Sequence, residues 1–92
     1  MTLNEFKKAV KKSVEQCSYA SEIMKAIHIE DYSATGRKLG YTNVAIISVY
    51  NDMYQRSEYR VYYNYSTMKG RIDYTFYDDY FEACDNFERL AR

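Results

Sequence analysis

Proline is absent from the 92 residues of this chain, and only three glycines, two cysteines and one histidine occur in it. Without proline no strand is interrupted by a missing backbone donor. The cysteines, Cys17 and Cys84, lie near opposite ends, and His28 is the lone imidazole. A zinc site takes about four such ligands, and no C-x-x-C or H-x-x-x-H spacing offers them. The N-terminus lacks an apolar core followed by a small-residue cleavage site, so a cytoplasmic protein with reduced thiols is expected. Long apolar runs are missing too: the longest, Val44-Ala45-Ile46-Ile47, falls far short of the roughly 20 residues of a membrane-spanning helix. An excess of either charge is also lacking, since 13 Lys plus Arg stand against 13 Asp plus Glu. Both the basic surplus of a dedicated nucleic-acid binder and the acidic surplus of a nucleic-acid mimic are thereby excluded.

What is present points to a folded chain. A hydrophobic fraction of 47%, with 12 Tyr and 4 Phe, is incompatible with disorder. The length fits a single domain, residues 1–92, able to bury about two-thirds of the surface that its unfolded chain exposes. Thr2-Leu3-Asn4-Glu5 reads as a capping box, in which the Thr2 hydroxyl and the Glu5 carboxylate each accept from the other's backbone N–H. Leu3, Phe6, Val10, Val14 and Cys17 then recur at helical spacing, flanked by Lys7, Lys8, Lys11 and Lys12 as a basic face. Tyr19, Ala20, Ile23, Met24 and Ile27 continue the spacing, and the weak helix formers around Ser18 to Ser21 predict a break and a second helix. From about Ile29 to Thr42 the period stops, with Gly36 and Gly40 bracketing Arg37-Lys38, although Ile27-His28-Ile29 alternates as a strand would.

Val44 to Tyr50 is β-branched and apolar on both faces, as in a central strand. Asn51-Asp52 is a turn, Glu58 to Tyr65 a strand with one polar face, Ser66 to Gly70 a second turn, and Ile72 to Phe76 a third strand. Asp78-Asp79 begins a closing helix whose core stripe is Tyr80, Ala83, Cys84, Phe87, Leu90 and Ala91. The expected fold class is therefore α+β: two N-terminal helices, a three-stranded antiparallel meander and a C-terminal helix, with all helices on one sheet face.

Catalytic sets are not apparent. His28 has no nucleophile or base placed beside it by spacing, the Asp78-Asp79 pair is explained by capping, and Gly36-x-x-x-Gly40 lacks the Lys-Ser/Thr end of a phosphate loop. No enzyme, cofactor or small-molecule substrate is expected. The lysine face is either a solvated helix surface or, together with Arg37 and Lys38, a contact for phosphates or acidic protein. Nine of the 12 tyrosines fall between positions 50 and 80. With Tyr59, Val61 and Tyr63 facing the helices, Tyr62 would stand on an open sheet face beside Arg60, with Arg71 on the neighbouring strand. Tyrosine and arginine in that setting suit a binding hot spot. A small single-strand nucleic-acid-binding or regulatory module uses the same features, with bases stacked on the rings.

The whole build resembles the small phage-encoded anti-CRISPR proteins, most of all inhibitors of the type I-F surveillance complex. The resemblance rests on the capped, Lys-rich opening Thr2-Leu3-Asn4-Glu5-Phe6-Lys7-Lys8, the Tyr-rich stretch Glu58-Tyr59-Arg60-Val61-Tyr62-Tyr63-Asn64-Tyr65, and the acidic close Tyr77-Asp78-Asp79-Tyr80-Phe81-Glu82-Ala83-Cys84. That class has no shared motif, so no residue role is carried over. The resemblance implies a non-enzymatic inhibitor that binds Cas subunits, with or without contact to the guide RNA, and blocks target DNA binding or pairing.

Overall fold

The computed structural model describes residues 2–15, 20–29, 41–65 and 71–91. The element order is α1 (Leu3–Glu15), β1 (Ala20–His28), β2 (Tyr41–Asn51), β3 (Arg56–Tyr65), β4 (Ile72–Tyr77) and α2 (Tyr80–Ala91). The expected break near Ser18, the turn at Ser66 to Gly70, and most of the irregular stretch, with Gly36, Arg37, Lys38 and Gly40, lie outside the described residues, as does Cys17. The class is α+β, and the described residues form two helices and one four-stranded antiparallel sheet in the order β1-β2-β3-β4. No helix among the described residues is long and apolar enough to cross a membrane.

Local signals start both helices. The Thr2 amide donates to Glu5 Oε1 at 3.1 Å and the Glu5 amide to Thr2 Oγ1 at 3.2 Å, so the box closes as the sequence predicts. Hydrogen bonding from the Thr2 backbone, and then from its side chain, holds the Glu5 carboxyl below its ordinary range. At α2 the Asp79 side chain accepts from the Phe81 amide at 3.2 Å, capping that helix. Between β2 and β3, Asn51 Oδ1 takes the amides of Met53 (3.0 Å) and Tyr54 (3.4 Å), and Gln55 turns the chain with φ 51°.

The segment expected as a second N-terminal helix is instead strand β1, which raises the strand count from three to four. Its register explains the misleading period. Ile23 lies opposite Ile47, but Lys25 lies opposite Ile46, so Met24 is an extra residue in a β-bulge. The bulge shifts the phase, and Ile23 and Ala26 share one face although they are three positions apart. A strand with one inserted residue thus imitates the three-residue step of a helix.

The helices lie on opposite faces, which overturns the expectation of a single helical layer. On the first face Phe6, Val10 and Val14 of α1 pack with Ala45, Ile47, Val49 and Tyr62, all fully buried. On the second face α2 packs with Val44, Ile46 and Val61 through Ala83, supported by partly buried Tyr80, Cys84, Phe87 and Leu90. Burying each of the three large α1 side chains contributes about 1.5 to 3 kcal/mol. Cover is partial on both sides: α1 rests chiefly on β1 and β2, α2 on β2, β3 and β4.

The bulge generates a test. Met24 is 45% exposed, so Met24→Ala should change stability by no more than about 0.5 kcal/mol. Deleting Met24 should cost no more than about 1 kcal/mol, because the strand then pairs without interruption, with Lys25 still opposite Ile46 and Ala26 still opposite Ala45 under α1. Chemical denaturation of the two variants measures both.

Candidate docking surfaces

The register aligns three rows of side chains across the first face: Ile23, Ile47, Arg60 and Phe76; Ala26, Ala45, Tyr62 and Tyr74; His28, Asn43, Asn64 and Ile72. Because α1 covers only the β1 and β2 end, each row runs from a roofed end to an open one.

Tyr62 sits on the face opposite Tyr59 and Tyr63, as expected, but that face is closed above it. Its ring is fully buried, and its hydroxyl lies 3.2 Å from Ser13 Oγ of α1. The expected open position of Tyr62 is therefore corrected: α1 shares this face and roofs the ring. Arg60 is also withdrawn, at 7% exposure. Its Nη1 donates to Tyr62 Oη at 3.2 Å, and its guanidinium lies 4.6 Å from the centre of the Tyr74 ring. A guanidinium only donates, so the Tyr62 oxygen accepts from Arg60 and its own proton is available to Ser13. Burial opposes the Arg60 charge; Tyr62, Tyr74 and Glu58, whose Oε2 lies 3.6 Å from Nε, more than offset it. Tyr62 and Tyr74 complete the stack with ring centres 4.8 Å apart. Arg60 and Tyr62 thus brace the base of an aromatic surface instead of forming it.

The third row is a buried polar thread. Asn43 Nδ2 donates to Asn64 Oδ1 at 2.9 Å, which leaves Asn43 Oδ1 as the acceptor for His28 Nδ1 at 2.8 Å. The imidazole is occupied in joining β1 to β2. On the second face Lys25 Nζ lies 3.9 Å from Cys84 Sγ, a free thiol, linking β1 to α2.

Among the described residues, two outward surfaces bear on docking. Along α1, Lys7, Lys8, Lys11, Lys12 and Glu15 line a shallow concavity of about 610 Å³. Lys11 is held down, its ammonium donating to the Ser21 carbonyl and to Ser21 Oγ at 3.0 Å each. Lys8 and Lys12 are exposed and Lys7 is half-buried. Along β4, Tyr74 is 44% and Phe76 62% exposed. Arg71, exposed just before β4, is paired with Asp73 at 3.2 Å, and Asp73 lies opposite Tyr63 on the other face from Tyr62, so Arg71 does not join Arg60 and Tyr62. The structure therefore brings together Arg60, Tyr62 and Tyr74, and keeps the lysines on a separate face. Tyr74 and Phe76 were missed as surface residues; their alternation is legible in the sequence, but their exposure depends on how far α1 extends over the sheet.

No protein-family model matches the chain, and no curated protein or solved structure does either.

The bracing role of Tyr62 is testable by unfolding. Tyr62→Phe keeps the ring but strands the Arg60 donor, and should cost about 1 to 3 kcal/mol. The double variant with Arg60→Leu should cost less than the sum of the two single changes, because both partners are then removed.

Proposed function

We propose that this protein is a non-enzymatic inhibitor that docks through the lysine face of α1 onto a type I CRISPR surveillance complex, on Cas subunits with or without the guide RNA, and blocks target DNA binding or pairing. The identity of the partner rests on the resemblance of the chain's build to anti-CRISPR proteins. The observation that carries the docking mode is the division of labour on α1. Phe6, Val10 and Val14 hold the helix to the sheet, and the lysines stand around a concavity on its outer side. Such a surface attracts phosphate or carboxylate groups, and an assembly of protein and RNA offers both. His28 supports the non-enzymatic reading, because its Nδ1 is engaged with Asn43 in a strand-bridging thread.

The test is co-migration with a purified type I surveillance complex in gel filtration, beside shift assays with free RNA and single-stranded DNA. Wild type should co-migrate. Lys7→Glu, Lys8→Glu and Lys12→Glu together should weaken binding at least about tenfold at low salt, with the difference shrinking as salt rises and melting unchanged. Lys11 is left in place because it holds Ser21. Tight binding of free nucleic acid without co-migration would instead establish the single-strand-binding module.

A further inference from the structure

The two outer strands of the sheet are unlike. β1 carries the bulge at Met24 with Glu22 and Lys25 around it, and such bulges and charges keep an outer strand from pairing with another chain. β4 has neither. Its six residues, Ile72–Tyr77, run in unbroken register with β3 and include no lysine or proline. Its first face presents Tyr74 and Phe76, largely open to solvent. The charges beside this strip are already paired: Arg60 with Glu58 at 3.6 Å, Arg71 with Asp73 at 3.2 Å, and Arg56 with Asp78 at 3.6 Å. A neutral, aromatic, extended edge fits a neutral, aromatic, extended partner better than it fits a phosphate backbone.

We propose that β4 pairs antiparallel with β4 of a second copy of this chain, about a two-fold axis at Thr75. Residues opposite one another in an antiparallel pair share a face, so a symmetric seam must be centred on a residue. Centring on Asp73 sets that carboxylate against its own copy, and centring on Phe76 sets Asp73 against the partner's Asp79. Centring on Tyr74 leaves Arg71 opposite the partner's Tyr77. Only the Thr75 axis places Tyr74 opposite the partner's Phe76, twice by symmetry, while bringing Arg71 toward the partner's Asp79. Aromatic and opposite-charge pairs are the stabilising cross-strand combinations, and like charges the destabilising ones. Six residues of strand span about 20 Å, a short seam beside the about 800 Å² per partner of a stable complex, so the pair is reversible. The axis stands normal to the sheet and sets both α1 helices on the same side of one continuous eight-stranded sheet.

Sedimentation velocity over about a hundredfold range of concentration tests this, with Thr75→Lys and Thr75→Glu made at a position exposed in the monomer. Wild type should rise with concentration from 11.0 kDa toward twice that mass. Each variant alone should stay at the monomer mass with unchanged melting, since like charges then meet on the axis. An equimolar mixture of the two should associate again. A wild type that remains monomeric throughout overturns the proposal, as does a dimer that persists in both single variants. Loss in both variants without recovery in the mixture overturns the Thr75 axis.

Discussion

Val44, Ala45, Ile46, Ile47 and Val49 are all withdrawn from water, although successive residues of a strand point to opposite sides of their sheet. Strand β2 therefore requires an apolar cover on each side, and the rest of the architecture follows from that requirement. Chain order supplies one helix before the sheet and one after it. The first closes over Ala45, Ile47 and Val49, the second over Val44 and Ile46. Each has a single apolar stripe, so neither could serve both faces.

Two short helices do not cover four strands completely, and the uncovered remainder sets the surface chemistry. On the first face, apolar packing under α1 gives way toward β3 to polar joints: the Asn43–Asn64 bond and the Arg60–Tyr62 pair. Beyond them Tyr74 and Phe76 are left open, with Arg60 beneath Tyr74. The outer side of α1 is charged because its inner side is fully engaged with the sheet. The lysine face and the aromatic edge thus have one origin and remain physically separate, which permits one to meet a partner while the other joins two copies.

How much of this is legible in the sequence depends on the range of the interaction involved. The caps at Thr2 and Asp79 are readable because they involve residues two or three positions apart. The stripe of α1 is readable because every turn repeats it. β1 is not, because the inserted Met24 moves Ile23 and Ala26 to a three-residue step, and only pairing with β2 distinguishes a bulged strand from a helix. The placement of both helices on one face conflicts with a signal already in the sequence, since a strand apolar on both faces implies two covers. The face chosen by Tyr62 is correct by alternation. Its burial is invisible locally, because Ser13 reaches it from 49 positions away in the chain.

The account stands on the division of β2 between two helices, and nuclear Overhauser contacts of its two isoleucines test that most directly. Ile47 methyl groups should show contacts to Phe6, Val10 or Val14 of α1 and none to α2. Ile46 methyl groups should show contacts to Ala83 or Phe87 of α2 and none to α1. Either isoleucine in contact with both helices, or both isoleucines in contact with the same helix, would contradict the two-sided sheet.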